Sequence, residues 1–108
     1  WRQHDRFSKI EIDGVLYSHG EIGGGGRYPA INQSSQQFQS MVIGHYHSCF
    51  GVTWTANENN RVFGMSVGCG VDWKKLQFSY GKKMARKPII GCGVVIDGRY
   101  AYTEPMIL

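Results

Sequence analysis

Three histidines offer the chemistry in this sequence: His19, His45 and His47. A short apolar run, Met41-Val42-Ile43, ends in Gly44 and then in His45-Tyr46-His47, where a strand should give way to a loop. Alternate residues of extended backbone point the same way, so His45 and His47 can aim both imidazoles into one space. That is how a chain presents nitrogen ligands to a metal, although a surface or turn pair is the plain alternative. A second apolar run, Val15-Leu16-Tyr17-Ser18, also ends in a histidine and a glycine, His19-Gly20.

The segment between the two runs decides whether the histidines meet. A glycine-rich loop from Gly23 to Gly26 leads into a stretch from Tyr28 to Gln39 that can be helical, with Pro29 suited to its first turn. A strand, helix, strand unit makes its two strands parallel, with a right-handed crossover. Parallel strands share one carboxyl edge and lie ~4.8 Å apart. The order therefore predicts His19, His45 and His47 at the same edge, in the cleft where open α/β sheets hold their ligands. The loop itself has neither the G-x-x-x-x-G-K-[ST] nor the G-x-G-x-x-G order of the nucleotide sites. Glu21 reads either as a partner that orients an imidazole or as a solvent-facing carboxylate. Arg27 reads as a solvated loop-tip cation, with contact to a substrate phosphate as the sharper alternative.

The remaining elements read as β-structure. Phe7, Ile10 and Ile12 lead into Asp13-Gly14, a dipeptide suited to a type I′ turn before Val15. Val52, Trp54 and Ala56 alternate with threonines, Glu58-Asn59-Asn60 makes a turn, and Val62 to Val67 returns as the second arm of a hairpin. Gly68-Cys69-Gly70-Val71 breaks the sheet, and Asp72 to Tyr80 has the caps and spacing of one or two helical turns. Ile89 to Ile96, Asp97-Gly98 and Arg99 to Thr103 form a last hairpin that closes a second sheet.

Composition narrows the class. With 42% hydrophobic and 13% aromatic residues the chain is ordinary globular material, expected to be one domain. No apolar run reaches the ~18 residues of a membrane span. The formal charge of +4 does not by itself indicate nucleic acid, because its one basic cluster, Lys82 to Lys87, is bracketed by Gly81 and Pro88 like a solvated loop. Cys49, Cys69 and Cys92 form no paired framework and no C-x-x-C, which fits a reducing, cytoplasmic compartment and small buried side chains.

Strand-His-Gly, helix, strand-Gly-His-x-His resembles the C-terminal half of the calcineurin-like metallophosphoesterases, at His19 and at Gly44-His45-Tyr46-His47. That family builds its site from five motifs, and the other three, D-x-H, G-D-x-x-D and G-N-H-(D/E), are absent here. The resemblance implies an α/β fold, a mixed-sheet partial β-sandwich with flanking helices that forms half of an αββα arrangement. Residues 1–108 would be a single C-terminal portion of that domain, and a start at Trp1 fits a fragment. It also implies hydrolysis of phosphate monoesters or diesters at two divalent ions, drawn from manganese, zinc, iron or nickel. His19 and His45 would hold one ion and His47 the other, while the missing N-terminal half supplies the remaining ligands. The chain alone is then expected to be incomplete as an enzyme and to self-associate through uncovered sheet surfaces. Ser66-Val67-Gly68 resembles a loop that the family places near its site. A non-catalytic binding or scaffold protein on the same fold is the alternative.

Overall fold

The computed structural model describes residues 3–5, 7–21, 23, 25–70 and 87–107. Its elements are β1 (Ile10–Ile12), β2 (Val15–Ser18), α1 (Pro29–Gln37), β3 (Met41–Ile43), β4 (Phe50–Ala56), β5 (Arg61–Val67), β6 (Gly91–Ile96) and β7 (Tyr100–Pro105). Asp13 and Gly14, both at positive φ (52° and 80°), join β1 to β2 as a type I′ turn requires.

A five-stranded sheet runs β1-β2-β3-β5-β4, and β6 and β7 form a separate hairpin. The sheet is mixed. β2, β3 and β5 are parallel to one another, whereas β1 and β4 pair antiparallel at the two edges. The expected parallel pair across α1 is present, with Ser18 opposite Ile43.

Period-two alternation splits the sheet into two faces. Val15, Phe63 and Met65 are buried on one, with Val95 and Ala101 of the β6–β7 hairpin packed against them. Met41 and Ile43 are buried on the other, with Ala30 of α1. The layers are therefore helix, five-stranded sheet and hairpin. On the hairpin side, burial and then the charge of Asp13 push the Tyr17 hydroxyl above its ordinary pKa of 10.0.

α1 is short and its buried face is polar: Gln33 and Ser34 are enclosed beside Pro29 and Ala30. A helix of nine residues lies below the ~12 to 15 that persist alone, so packing must hold it. Gly64 allows a close approach. A Cβ there would stand 2.5 Å from Ala30 O and Ile31 N, so only hydrogen lets α1 settle onto β5. The buried Ser34 hydroxyl lies 2.7 Å from Gln39 O and 3.1 Å from Phe63 O, its single proton shared between them. The helix ends at Phe38, whose left-handed backbone (φ 47°) turns its N–H onto Ser34 O.

Two expectations change. β5 continues through Val67, so Ser66 and Val67 are strand rather than loop, and only Gly68 (φ 67°) breaks it. The cysteines are not buried: Cys49 and Cys69 are half-buried and Cys92 is exposed, on the hairpin's outer side. The helical turns expected over 72–80, and all but Lys87 of the basic cluster, lie outside the described residues. Among the described residues no helix is long and apolar enough to cross a membrane.

Candidate metal centre

β2 and β3 end side by side, so the residues that follow leave the sheet at the same edge. Gly44 N–H donates to His19 O at 3.1 Å, which carries the parallel ladder one step beyond the strands. The chain then turns sharply. Tyr46 N–H reaches back to Gly44 O at 2.6 Å, and His45 between them sits at φ 60°. A left-handed conformation costs a non-glycine residue about 1 to 2 kcal/mol. Here it lays the His45 ring across His19.

His19 Nε2 and His45 Nδ1 come to 3.1 Å, with ring centroids 4.9 Å apart and planes at 69°. Tyr46 packs edge-on against His45, again at 4.9 Å between centroids. The Glu21 carboxylate joins them, so that one ligand atom from each of His19, Glu21 and His45 lies within 4.8 Å of the others. Both histidines are exposed and Glu21 is half-buried.

The helix fixes the His19 end of this cluster. Gly20 is buried at φ 91°, and a Cβ on it would meet Ile43 Cβ at 2.7 Å. The buried Gln33 amide donates to Gly20 O at 2.8 Å. The polar face of α1 thereby positions the backbone that carries His19 and Glu21.

His47 falls outside the trio. The strand stops at Ile43 and His45 is left-handed, so the two histidines do not share an extended segment and alternation no longer aligns them. Its backbone has another task, since His47 O accepts the Ile89 N–H at 2.9 Å and ties this loop to the approach to β6. Glu21 is the group that the sequence left undecided. Its signal in the sequence was its place two residues beyond His19.

The separation of the two ring nitrogens fits metal ligation. Two ligands each ~2.1 Å from one ion lie ~3.0 to 3.4 Å apart across an octahedral or tetrahedral edge, and the observed 3.1 Å falls within that span.

A cleft of about 370 Å³ opens between the first turn of α1 and β4. Arg27, Ala30, Ile31, Ser48 and Thr53 line it, along with Ser66, which is 5% exposed. Among the described residues no side chain caps the first turn of α1. Free N–H groups and the positive end of the helix dipole there favour an anion. In a strand, helix, strand unit the helix starts where the first strand ends, which puts this cleft at the carboxyl edge occupied by His19. Comparisons with protein-family models, curated proteins and solved structures return no match.

Proposed function

We propose that this chain forms the histidine-rich part of a two-metal phosphoesterase centre, with His19 and His45 on one divalent ion and His47 on the second. The observation that supports this reading is the meeting of His19 Nε2 and His45 Nδ1 at 3.1 Å, at the shared edge of two parallel strands. Two such ions, when bound, would activate water near neutral pH and offset charge on the transferring phosphoryl group. The histidines hold and orient the ions, while Arg27 and the open turn of α1 attract the substrate's negative charge into the cleft. On this reading the bridging carboxylate and remaining ligands would be supplied from outside these 108 residues. Manganese, zinc, iron and nickel all suit the nitrogen donors.

On this reading the helix, sheet and hairpin are half of an αββα domain, working in a cytoplasmic protein. Ile96, Tyr100 and Tyr102, exposed on the hairpin, leave the isolated chain prone to self-association. The test is hydrolysis of an aryl phosphodiester and an aryl phosphomonoester, with manganese, by a protein that joins this chain to its upstream sequence. Activity lost in His45→Ala supports the proposal.

One observation favours a non-catalytic binding protein instead: the ligand cluster among the described residues contains a single carboxylate, Glu21. Metal uptake without hydrolysis of either ester by the longer protein would establish that alternative.

A further inference from the structure

We infer that His19, Glu21 and His45 make a self-sufficient site for one divalent transition metal within this chain, with Glu21 as the third ligand beside the two histidines. The inference rests on the proposed metal role of the two meeting histidines, and it changes what completes their site.

Distance is the first ground. The 3.1 Å between His19 Nε2 and His45 Nδ1 corresponds to two ligands ~2.1 Å from a common ion at an angle of roughly 95°. A carboxylate oxygen of Glu21 lies within 4.8 Å of a ring nitrogen of each histidine. Neighbouring ligands of such an ion lie ~3.0 to 3.4 Å apart, so closing the site needs up to roughly 1.5 Å of side-chain movement. A glutamate with three rotatable bonds can supply that without moving the backbone.

Rigidity is the second ground. Gly20, between His19 and Glu21, is buried and held by the Gln33 amide at 2.8 Å. His45 is held from the other strand by the Gly44-to-His19 hydrogen bond and by the tight turn at Tyr46. Both ligand-bearing segments are therefore in place before an ion arrives, which lowers the ordering cost of binding.

Charge is the third. The chain is formally +4, and two neutral imidazoles offset none of a divalent cation's charge. Glu21 supplies the anion. Two histidines and one glutamate form a known donor set for zinc at sites that leave a coordination position for water or substrate. A site of three ligands from one chain keeps such a position open.

The competing account is a simple hydrogen bond, one imidazole donating to the other with no ion between them. Titration of the chain with zinc and with cobalt, followed by calorimetry, by the visible spectrum of cobalt and by the imidazole NMR resonances, separates the two. The expected result is one ion per chain, with His19 and His45 resonances shifted together. Glu21→Gln is expected to weaken binding by at least ~100-fold, beyond the 10- to 100-fold typical of residues that only orient a ligand. His47→Ala is expected to leave affinity within about threefold, since it removes no ligand of this ion.

Circular dichroism of the metal-free variants confirms that each is folded, and Glu21→Asp, which keeps the carboxylate, is expected to bind more tightly than Glu21→Gln. Absence of binding, Glu21→Gln within tenfold of the parent chain, or loss of binding in His47→Ala overturns the inference. If Glu21→Gln leaves binding by His19 and His45 intact, this inference fails while the phosphoesterase proposal survives. If the trio binds as described but the longer protein hydrolyses no phosphate ester, the proposal fails and this site remains.

Discussion

Gly64→Ala puts a methyl group where α1 touches β5, and its cost follows from the distances. The new carbon would lie 2.5 Å from Ala30 O and Ile31 N. Both are backbone atoms, which cannot rotate away. Relief requires α1 to lift by roughly 0.7 Å or more to restore ordinary contact, and overpacking of this kind costs about 1 to 3 kcal/mol. Lifting the helix also stretches the Gln33 amide from Gly20 O, now 2.8 Å, and the Ser34 hydroxyl from Phe63 O, now 3.1 Å. Leaving one such buried group unsatisfied costs about 1 to 3 kcal/mol more. A total near 3 kcal/mol is a large share of the 5 to 15 kcal/mol that stabilises a domain, and it corresponds to a melting point lower by about 12 to 24 °C. Thermal unfolding of the metal-free chain, followed by circular dichroism, measures it. Gly70→Ala is the control, because nothing among the described residues lies within 4 Å of a Cβ there, and its stability is expected within about 0.5 kcal/mol of the parent. Gly64→Ala melting within 2 °C of the parent would refute the claim that a close helix approach holds the site.

Gln33→Leu keeps the volume but deletes the donor to Gly20 O; a loss of about 1 to 3 kcal/mol in urea unfolding, together with weaker zinc binding, is expected from its position behind His19. His45→Gly removes a side chain from left-handed backbone (φ 60°), so the metal-free chain should be as stable as the parent or up to about 1 kcal/mol more stable, while zinc binding disappears; a clear loss of stability counts against strain at this residue. The raised pKa of Tyr17 means the fold prefers the protonated phenol. Its contribution is fully present below the ordinary value of about 10 and is lost as pH rises through the higher folded value. Urea midpoints should therefore fall more steeply above pH ~10 in the parent than in Tyr17→Phe, and identical pH profiles would show that Tyr17 is not desolvated.

Local sequence determined the turns, the parallel pair and the edge where chemistry gathers. Asp13-Gly14 could hardly be other than a tight hairpin, since both residues tolerate positive φ at little cost. A helix between two short apolar runs forced β2 and β3 parallel, so His19 and His45 had to leave the sheet on one side. Polar character of the buried helix face was harder to read: a stretch with Gln33 and Ser34 inside has no apolar stripe, and only the carbonyls of Gly20 and Phe63 explain those side chains.

Which side chains meet at the edge was left to tertiary structure. Extended alternation selected His47 as His45's companion, but alternation applies only while the chain stays extended, and the chain leaves that state at Ile43. The left-handed turn at His45 and the anchoring of Gly20 by a helix thirteen residues away brought in Glu21 instead. A strand's period and a turn's glycine act over a few neighbours and are written in the sequence. The direction of a side chain beyond the strand end is settled by hydrogen bonds to distant segments, whose partners exist only once the sheet and helix have packed.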